Sequence, residues 1–245
     1  MDKVNILGVN VDMVTIDEAA DKILTFFDED KLHSVFTPNS EIIMAAYRDR
    51  DFAEILNSSD LLTADGIGVV YASKMLGKPI SERAAGYDIA CKVLDKIKDT
   101  DHKLFLFGGK PGVSEIAKEK LEEKYKGIKI VGTRNGYFKE DEEAGIVDEI
   151  NKSGADIVFV CLGAPKQEKW IAKHKDELKP RVAMGIGGSL DVFAGTALRA
   201  PDFYCKHGLE WFYRLKKEPW RIGRMMDLPK FAVTVMLHGR KYKQN

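Results

Sequence analysis

Asp65 is the carboxylate in this 245-residue chain whose position best suits acid–base chemistry. It sits in Ala64-Asp-Gly66, after the run 60–64 and before a helical pattern. A carboxylate at such a place in a cleft can accept the proton of an attacking hydroxyl. Aspartate is also a favoured helix N-cap, and the two roles can coexist. Thr37 and Asn39 flank Pro38 after a second apolar run, and Gln167 follows Pro165 in Gly163-Ala-Pro-Lys-Gln167, in the first turn of a helical pattern. Gly108-Gly-Lys-Pro-Gly112 and Gly187-Gly-Ser-Leu-Asp191 are two more small or polar segments placed after apolar runs. Glycines before a helix let the backbone approach a phosphate, whose charge the helix start favours; glycine in such a turn can also serve conformation alone. Gly136 and Tyr137, in Asn135-Gly-Tyr-Phe138, offer a loop aromatic for stacking on a base or for plugging an apolar gap. Arg83, in the Gly- and Pro-bounded loop 77–86, is either a cation for an anionic ligand or a solvated side chain.

Metal chemistry is not expected. Asp28-Glu-Asp30, Asp49-Arg-Asp51 and Asp99-Thr-Asp101 have the DxD spacing that could hold a divalent ion against a nucleotide diphosphate, but none follows a predicted strand. His33, His102, His174, His207 and His238 are isolated from one another. Cys91, Cys161 and Cys205 show neither CxxC spacing nor a histidine at ligand distance, which reads as a reduced protein with no zinc site. No metal or other cofactor enters the reading.

These segments need elements that gather them. Runs near 4–9, 33–37, 60–64, 103–107, 128–132, 156–162 and 181–186 read as strands. Most are continuously apolar, like Asp156-Ile-Val-Phe-Val-Cys-Leu162, as suits a sheet covered on both faces. Helical patterns alternate with them: Thr15-Ile-Asp-Glu18 is a capping box, and Asn39 can cap 40–48. The alternation predicts an α/β fold, a Rossmann-like, doubly wound, mostly parallel sheet. Ligands of such sheets bind beyond the carboxyl ends of the strands, so the segments above would line one mouth.

Composition bounds the rest. With 44% hydrophobic and 31% charged residues the chain is not disordered, and no run approaches the roughly 18 apolar residues of a membrane span. The start lacks a cationic segment followed by an apolar one, so a cytosolic location is expected. The formal net charge of +0 is unevenly distributed. Residues 196–245 carry eleven Lys and Arg against four Asp and Glu, leaving twenty-seven cations and thirty-four acids in 1–195: +7 and −7. Regular alternation also ends there, and Pro201, Pro219 and Pro229 each suit the start of a short helix. The chain therefore reads as a body, 1–195, and a basic, aromatic-rich helical appendage, 196–245, holding Trp211, Trp220, Arg214, Arg221 and Arg224. Such a surface suits an anionic bilayer, a nucleic acid, or simple packing on the body.

Taken in order, Thr37-Pro-Asn39, Ala64-Asp-Gly66, Gly108-Gly-Lys-Pro-Gly112, Gly163-Ala-Pro-Lys-Gln-Glu168, Gly187-Gly-Ser189, Arg199-Ala-Pro201, Gly208-Leu-Glu-Trp211 and Glu218-Pro219 resemble the WecG/TagA/CpsF glycosyltransferases, family 26, over about residues 4–230. Within it the likeness is nearest to the N-acetylmannosamine transferases of wall teichoic acid synthesis. The resemblance implies inverting transfer of N-acetylmannosamine from UDP-N-acetylmannosamine to the 4-hydroxyl of N-acetylglucosamine on undecaprenyl diphosphate, giving a β linkage. It makes Asp65 the base, puts Thr37, Asn39 and Gln167 around the sugar, and assigns the donor to Gly108, Gly109, Gly136, Tyr137, Gly163 and Asp191. Arg83, Arg214, Arg221 and Arg224 would meet the acceptor or the diphosphates. The partners so implied are a UDP-sugar, the lipid-linked acceptor and an anionic membrane at the inner face of the cell. Nucleic acid is not among them, and association between copies is a further expectation. Another UDP-sugar donor, such as the uronic acid form, or an adaptor acting through the basic tail, are the alternatives.

Overall fold

The computed structural model describes residues 1–201, 203–204, 209–217 and 227–242. The chain opens on an antiparallel hairpin, β1 (Lys3–Ile6) and β2 (Val9–Asp12), where a single strand over 4–9 is expected from the sequence. Its two-residue turn, Leu7-Gly8, has positive φ at both positions, 54° and 94°. Leucine is no sequence signal for such a turn, whose usual residues are Asn, Asp and Gly. Asn57 compensates from outside: its side-chain oxygen accepts from the Asn10 N–H and its amide donates to the Gly8 carbonyl, both at 2.8 Å.

From there the alternation follows the sequence reading. Helix α1 (Ile16–Thr25) starts at Thr15 with the expected capping box, the Glu18 N–H donating to the Thr15 hydroxyl and the Thr15 N–H to the Glu18 carboxylate. Next come β3 (His33–Phe36), α2 (Ser40–Arg48), α3 (Arg50–Asn57), β4 (Leu61–Leu62), α4 (Ile67–Met75), α5 (Gly86–Ile97) and β5 (Lys103–Gly108). Helix α6 (Val113–Lys124), β6 (Lys129–Arg134), α7 (Glu143–Ser153), β7 (Ile157–Cys161), α8 (Lys166–Lys173), β8 (Val182–Gly185) and α9 (Ser189–Phe193) complete the body. Six strands form one parallel sheet in the order β4-β3-β8-β7-β5-β6.

Strand β5 shows why its sequence is apolar throughout. Leu104 and Leu106 pack with Ile89 and Val93 of α5 and Leu121 of α6, while Phe105 and Phe107 point the other way, into a core shared with Ile146 and Ile150 of α7 and Trp170 of α8. Helices thus cover both faces. The chain leaves β5 toward β6 and leaves β7 toward β8, in opposite directions along the sheet. The crevice beyond Gly108 and Cys161 is therefore a topological switch point, where open α/β sheets bind ligands.

The appendage contributes α10 (Glu210–Lys217) and α11 (Asp227–His238), the latter with Pro229 in its first turn as the sequence predicts. Helix α11 packs on α2 and α4. Phe231 and Val235 are buried in the same core as Ile43 and Ala46 of α2 and Val69 and Leu76 of α4, and Arg48 pairs with Asp227 at 2.8 Å. The helix start expected at Pro219, and Trp220, Arg221 and Arg224, lie outside the described residues, as does the side chain of Arg214. Among the described residues no helix is long and apolar enough to cross a membrane.

Candidate active site

The sheet order converts six separate sequence segments into one row. Beyond the strand ends lie, in turn, Asp65 (β4), Thr37 and Asn39 (β3), Gly187 to Asp191 (β8), Gly163 to Gln167 (β7), Gly108 and Gly109 (β5), and Gly136 and Tyr137 (β6). With neighbouring strands about 4.8 Å apart, four spacings put the Gly108 end about 19 Å from the Asp65 end, room for an extended ligand laid across the row.

At the β4 end Asp65 is half-buried. The N-cap of α4 is Gly66, whose φ of 129° an L side chain rarely adopts, so Asp65 is not the cap that its residue type suggests. Its N–H donates to the Pro38 carbonyl at 3.1 Å, and its Oδ2 accepts from the Gly86 N–H at 3.3 Å. The first bond ties the backbone of residue 65 to the loop after β3, and the second ties its carboxylate to the first residue of α5. Asn39 is a true cap, accepting from the Ile42 N–H at 3.0 Å, and Thr37 is buried with its hydroxyl 3.4 Å from the Gly185 carbonyl. Gly86 has to be glycine beside it: a Cβ there would come 2.6 Å from the Thr37 hydroxyl.

Arg83 is not a solvated cation. Its side chain is only 15% exposed, and it pairs with Glu210 of α10 and, at 3.3 Å, with Asp88 of α5. Burial opposes its charge, but Glu210, Asp65 and Asp88 outweigh that and hold the guanidinium charged. Asp88 also pairs with Arg199, whose guanidinium lies 4.6 Å from the centre of the Tyr87 ring. A chain of alternating charges, Glu210–Arg83–Asp88–Arg199, thus fastens the appendage beside the Asp65 end of the row.

The glycines at the β5 end serve backbone packing first. A Cβ on Gly108 would lie 2.3 Å from the Cys161 carbonyl oxygen. The Gly109 N–H donates to that same carbonyl at 3.1 Å, and the Gly109 carbonyl accepts from the Gly136 N–H at 2.8 Å. The Gly109 amide is therefore engaged within the sheet edge, and a phosphate here would have to use the start of α6 beyond Gly112. Next to these glycines an open cleft of about 560 Å³ is lined by Gly136, Tyr137, Phe138, Leu162 and Lys166. Tyr137 is 65% exposed at its rim, available for stacking, whereas Phe138 is the aromatic that plugs the core against Phe107. The Lys166 ammonium sits 3.9 Å from the Phe138 ring centre and donates to the Gly136 carbonyl at 3.3 Å. None of Asp65, Thr37 and Asn39 lines this cleft, so the row has two separate centres, one suited to a base and one to a flat ring.

Between them, Gln167 is buried rather than lining a wall. Its Oε1 accepts from the Gly187 N–H at 3.0 Å and its Nε2 donates to Glu168 at 2.8 Å. Gly163 accepts the Gln167 N–H at 3.0 Å, and Asp191, in α9, closes a local turn by accepting from Thr196 and Ala197. Sequence reasoning gave no role to Glu168, Asp88 or Glu210. For Glu168 a signal existed: in α8 the buried residues are Gln167, Glu168, Trp170 and Ile171, so a glutamate occupies the core-facing phase of an amphipathic helix. It is 1% exposed, its Oε2 has no hydrogen-bond partner among the described residues, and burial pushes its carboxyl above the usual range. A raised folded value means the folded state keeps a proton that the unfolded chain releases. The contribution of Glu168 to stability therefore falls as pH rises above about 4.3, by roughly tenfold in folding equilibrium per pH unit, until the folded carboxyl itself ionises. Glu168→Gln keeps an oxygen for Gln167 and removes that loss. Its melting midpoint is expected to exceed wild type at pH 7 and to match it near pH 4, measured by thermal unfolding across that range.

A parallel α/β sheet covered by helices on both faces, with a half-buried carboxylate and arginine and an exposed loop aromatic along its carboxyl edge, is a Rossmann-like architecture of the kind glycosyltransferases have. The chain belongs to the glycosyl transferase WecG/TagA/CpsF family, whose profile matches residues 4–245. It is 39% identical to a protein of Bacillus spizizenii over 88% of this chain and 83% of that one, and 38% identical to one of Bacillus subtilis over 85% and 81%. A Staphylococcus aureus protein is 37% identical over 99% of this chain and 95% of its own. Each of the three is named N-acetylglucosaminyldiphosphoundecaprenol N-acetyl-beta-D-mannosaminyltransferase.

Proposed function

We propose that this chain transfers N-acetylmannosamine from UDP-N-acetylmannosamine to the 4-hydroxyl of N-acetylglucosamine on undecaprenyl diphosphate, with inversion to a β linkage, as a step of wall teichoic acid synthesis. The observation that carries the reading is Asp65, a half-buried carboxylate that accepts from the Gly86 N–H beside a charged arginine, in a chain matched to this family over nearly its whole length. Inverting transfer needs one base for the incoming hydroxyl and positive charge for the departing nucleoside diphosphate. Asp65 takes the hydroxyl proton as that oxygen attacks the sugar carbon, and UDP leaves from the opposite face. The uracil end lies in the cleft at Tyr137, and the sugar lies toward Thr37 and Asn39. Gln167 acts from beneath, fixing the Gly187 turn. Arg83, Lys166 and the appendage arginines Arg214, Arg221 and Arg224 supply the positive charge, and the transfer proceeds without a metal ion. Acting on a lipid-linked acceptor, the enzyme works peripherally at the inner face of the cell membrane.

The test is a donor panel, UDP-N-acetylmannosamine, its uronic acid form and UDP-N-acetylglucosamine, against a lipid diphosphate carrying N-acetylglucosamine, with EDTA and then with magnesium. The expected result is a β-1,4 disaccharide from the first donor alone, at the same rate in EDTA. Turnover of the uronic acid form alone would replace the donor, and a rate restored only by magnesium would overturn metal independence.

A further inference from the structure

Helices α4 and α11 lie side by side and leave an apolar strip that no described residue covers. Leu228 of α11 sits over Gly68 near the start of α4, where an added Cβ would be 3.8 Å from it, and Gly239 just beyond α11 sits against Leu76 just beyond α4. The inner faces are Phe231 and Val235 on α11 and Val69, Ala72 and Leu76 on α4. On the outer face, Leu237 is 68% exposed, Met236 66%, Tyr71 56%, Val233 53% and Met75 47%. Helical periodicity puts Tyr71 and Met75 on the margin of α4 that also carries Gly68, toward α11, and Met236 on the matching margin of α11. Val233 and Leu237 follow Met236 around the outward side of α11, so the five large apolar side chains form an exposed surface larger than scattered exposure accounts for.

Cations border it on both sides. Lys74 and Lys78 are exposed along α4, with the Lys74 ammonium 5.7 Å from the Tyr71 ring centre, and Lys230 and Lys241 are exposed along the α11 segment. Residues 67–79 contain no Asp or Glu, and 227–242 contain one, Asp227 at the start of α11, which pairs with Arg48, in a chain where acids and cations are equal in number. An apolar strip with cationic margins, whose single acid is paired, matches the headgroup layer of an anionic bilayer: side chains such as Leu, Met and Tyr enter the acyl boundary while lysines meet lipid phosphates. A protein partner would have to be both apolar and acidic to fit as well.

We propose that the α4–α11 face is the surface by which this protein lies on an anionic lipid membrane. Its purpose rests on the lipid-linked acceptor proposed above. Helix α4 starts two residues after Asp65, so Tyr71 and Met75 lie about one and two turns along it from its Asp65 end, at about 1.5 Å of rise per residue. A bilayer resting on this face presents a membrane-anchored sugar on the side of the molecule where Asp65 stands.

The test uses the full chain and sucrose-loaded vesicles of phosphatidylglycerol with phosphatidylcholine, or of phosphatidylcholine alone, with no donor or acceptor present. Wild type is expected to sediment with the anionic vesicles only, less so as salt is raised. Tyr71→Ser, Met75→Ser, Met236→Ser and Leu237→Ser combined should weaken binding at least tenfold, as should Lys74→Glu, Lys230→Glu and Lys241→Glu combined. Because all seven side chains are exposed, both variants should melt as wild type does; if the apolar variant does not, the charge variant decides. Trp211→Ser with Phe212→Ser, on exposed residues of α10, is the control and should retain most of the binding. The proposal is overturned if wild type ignores anionic vesicles, if only the α10 variant loses them, or if sedimentation shows a dimer that the apolar variant abolishes while its vesicle binding stays. Vesicle binding without sugar transfer would support the face while removing the activity proposed above, so the two readings fail separately.

Discussion

Replacing Asp65 with asparagine is expected to lower sugar transfer by about 10²–10⁴-fold, the usual contribution of a positioned general base, while the melting midpoint and UDP affinity stay near wild type. The substitution isolates the proton-accepting role because it leaves the geometry in place. Asparagine keeps an oxygen to accept from the Gly86 N–H, and the bond from the residue 65 amide to the Pro38 carbonyl is backbone only. Arg83 loses one nearby negative charge but retains Glu210 and Asp88 as partners. Binding at the Tyr137 cleft, several strands away, has no reason to change. Steady-state kinetics with UDP affinity measured by calorimetry gives the check: a fall in kcat with UDP binding unchanged supports the base. Turnover close to wild type would remove the assignment, and a loss of UDP affinity would mean that Asp65 acts on the donor. Asp65→Ala makes a useful contrast, since it also strips the Gly86 acceptor and should lower stability where asparagine does not.

Much of this site was readable from the chain because its position is a local matter. Each strand end is marked by the switch from an apolar run to small or polar residues, and the parallel sheet places all such switches on one side. Caps that depend on residues three apart, at Thr15 and Asn39, were equally legible. What escaped depends on partners far along the chain. The Leu7 turn is held by Asn57, Arg83 is paired with Glu210, and the Gly109 amide is taken by Cys161, none of which a local pattern can show. Asp65 illustrates the limit of residue type: the capping preference is real, yet the next residue, a glycine at positive φ, takes that position and leaves the carboxylate facing the loops after β3 and before α5. The charge boundary at residue 196 is likewise real in composition, and α11 nevertheless buries two side chains in the body's own core.

That burial sets the second large effect. Phe231→Ala is expected to destabilise the protein by about 3–5 kcal/mol, the range for removing a buried phenylalanine, and to lower the melting midpoint on the order of 10 °C. Phe231 is 2% exposed, and it shares its core with α2 and α4, the helices that follow Asn39 and Asp65. Removing its ring opens a cavity between the appendage and the two helices that carry the sugar end of the row. Leu237, six residues on along the same helix, is 68% exposed, so Leu237→Ala should leave the unfolding free energy within about 0.5 kcal/mol of wild type. The contrast separates packing from helix propensity, since both substitutions introduce the best helix former. Thermal and urea unfolding of the two variants would measure it. Equal effects would mean that α11 is not docked as described. A large effect at Phe231 alone makes the last helix part of the body's foundation: its loss would disturb α2 and α4 from behind, and with them Asn39 and Asp65, before any arginine of the appendage reached a substrate.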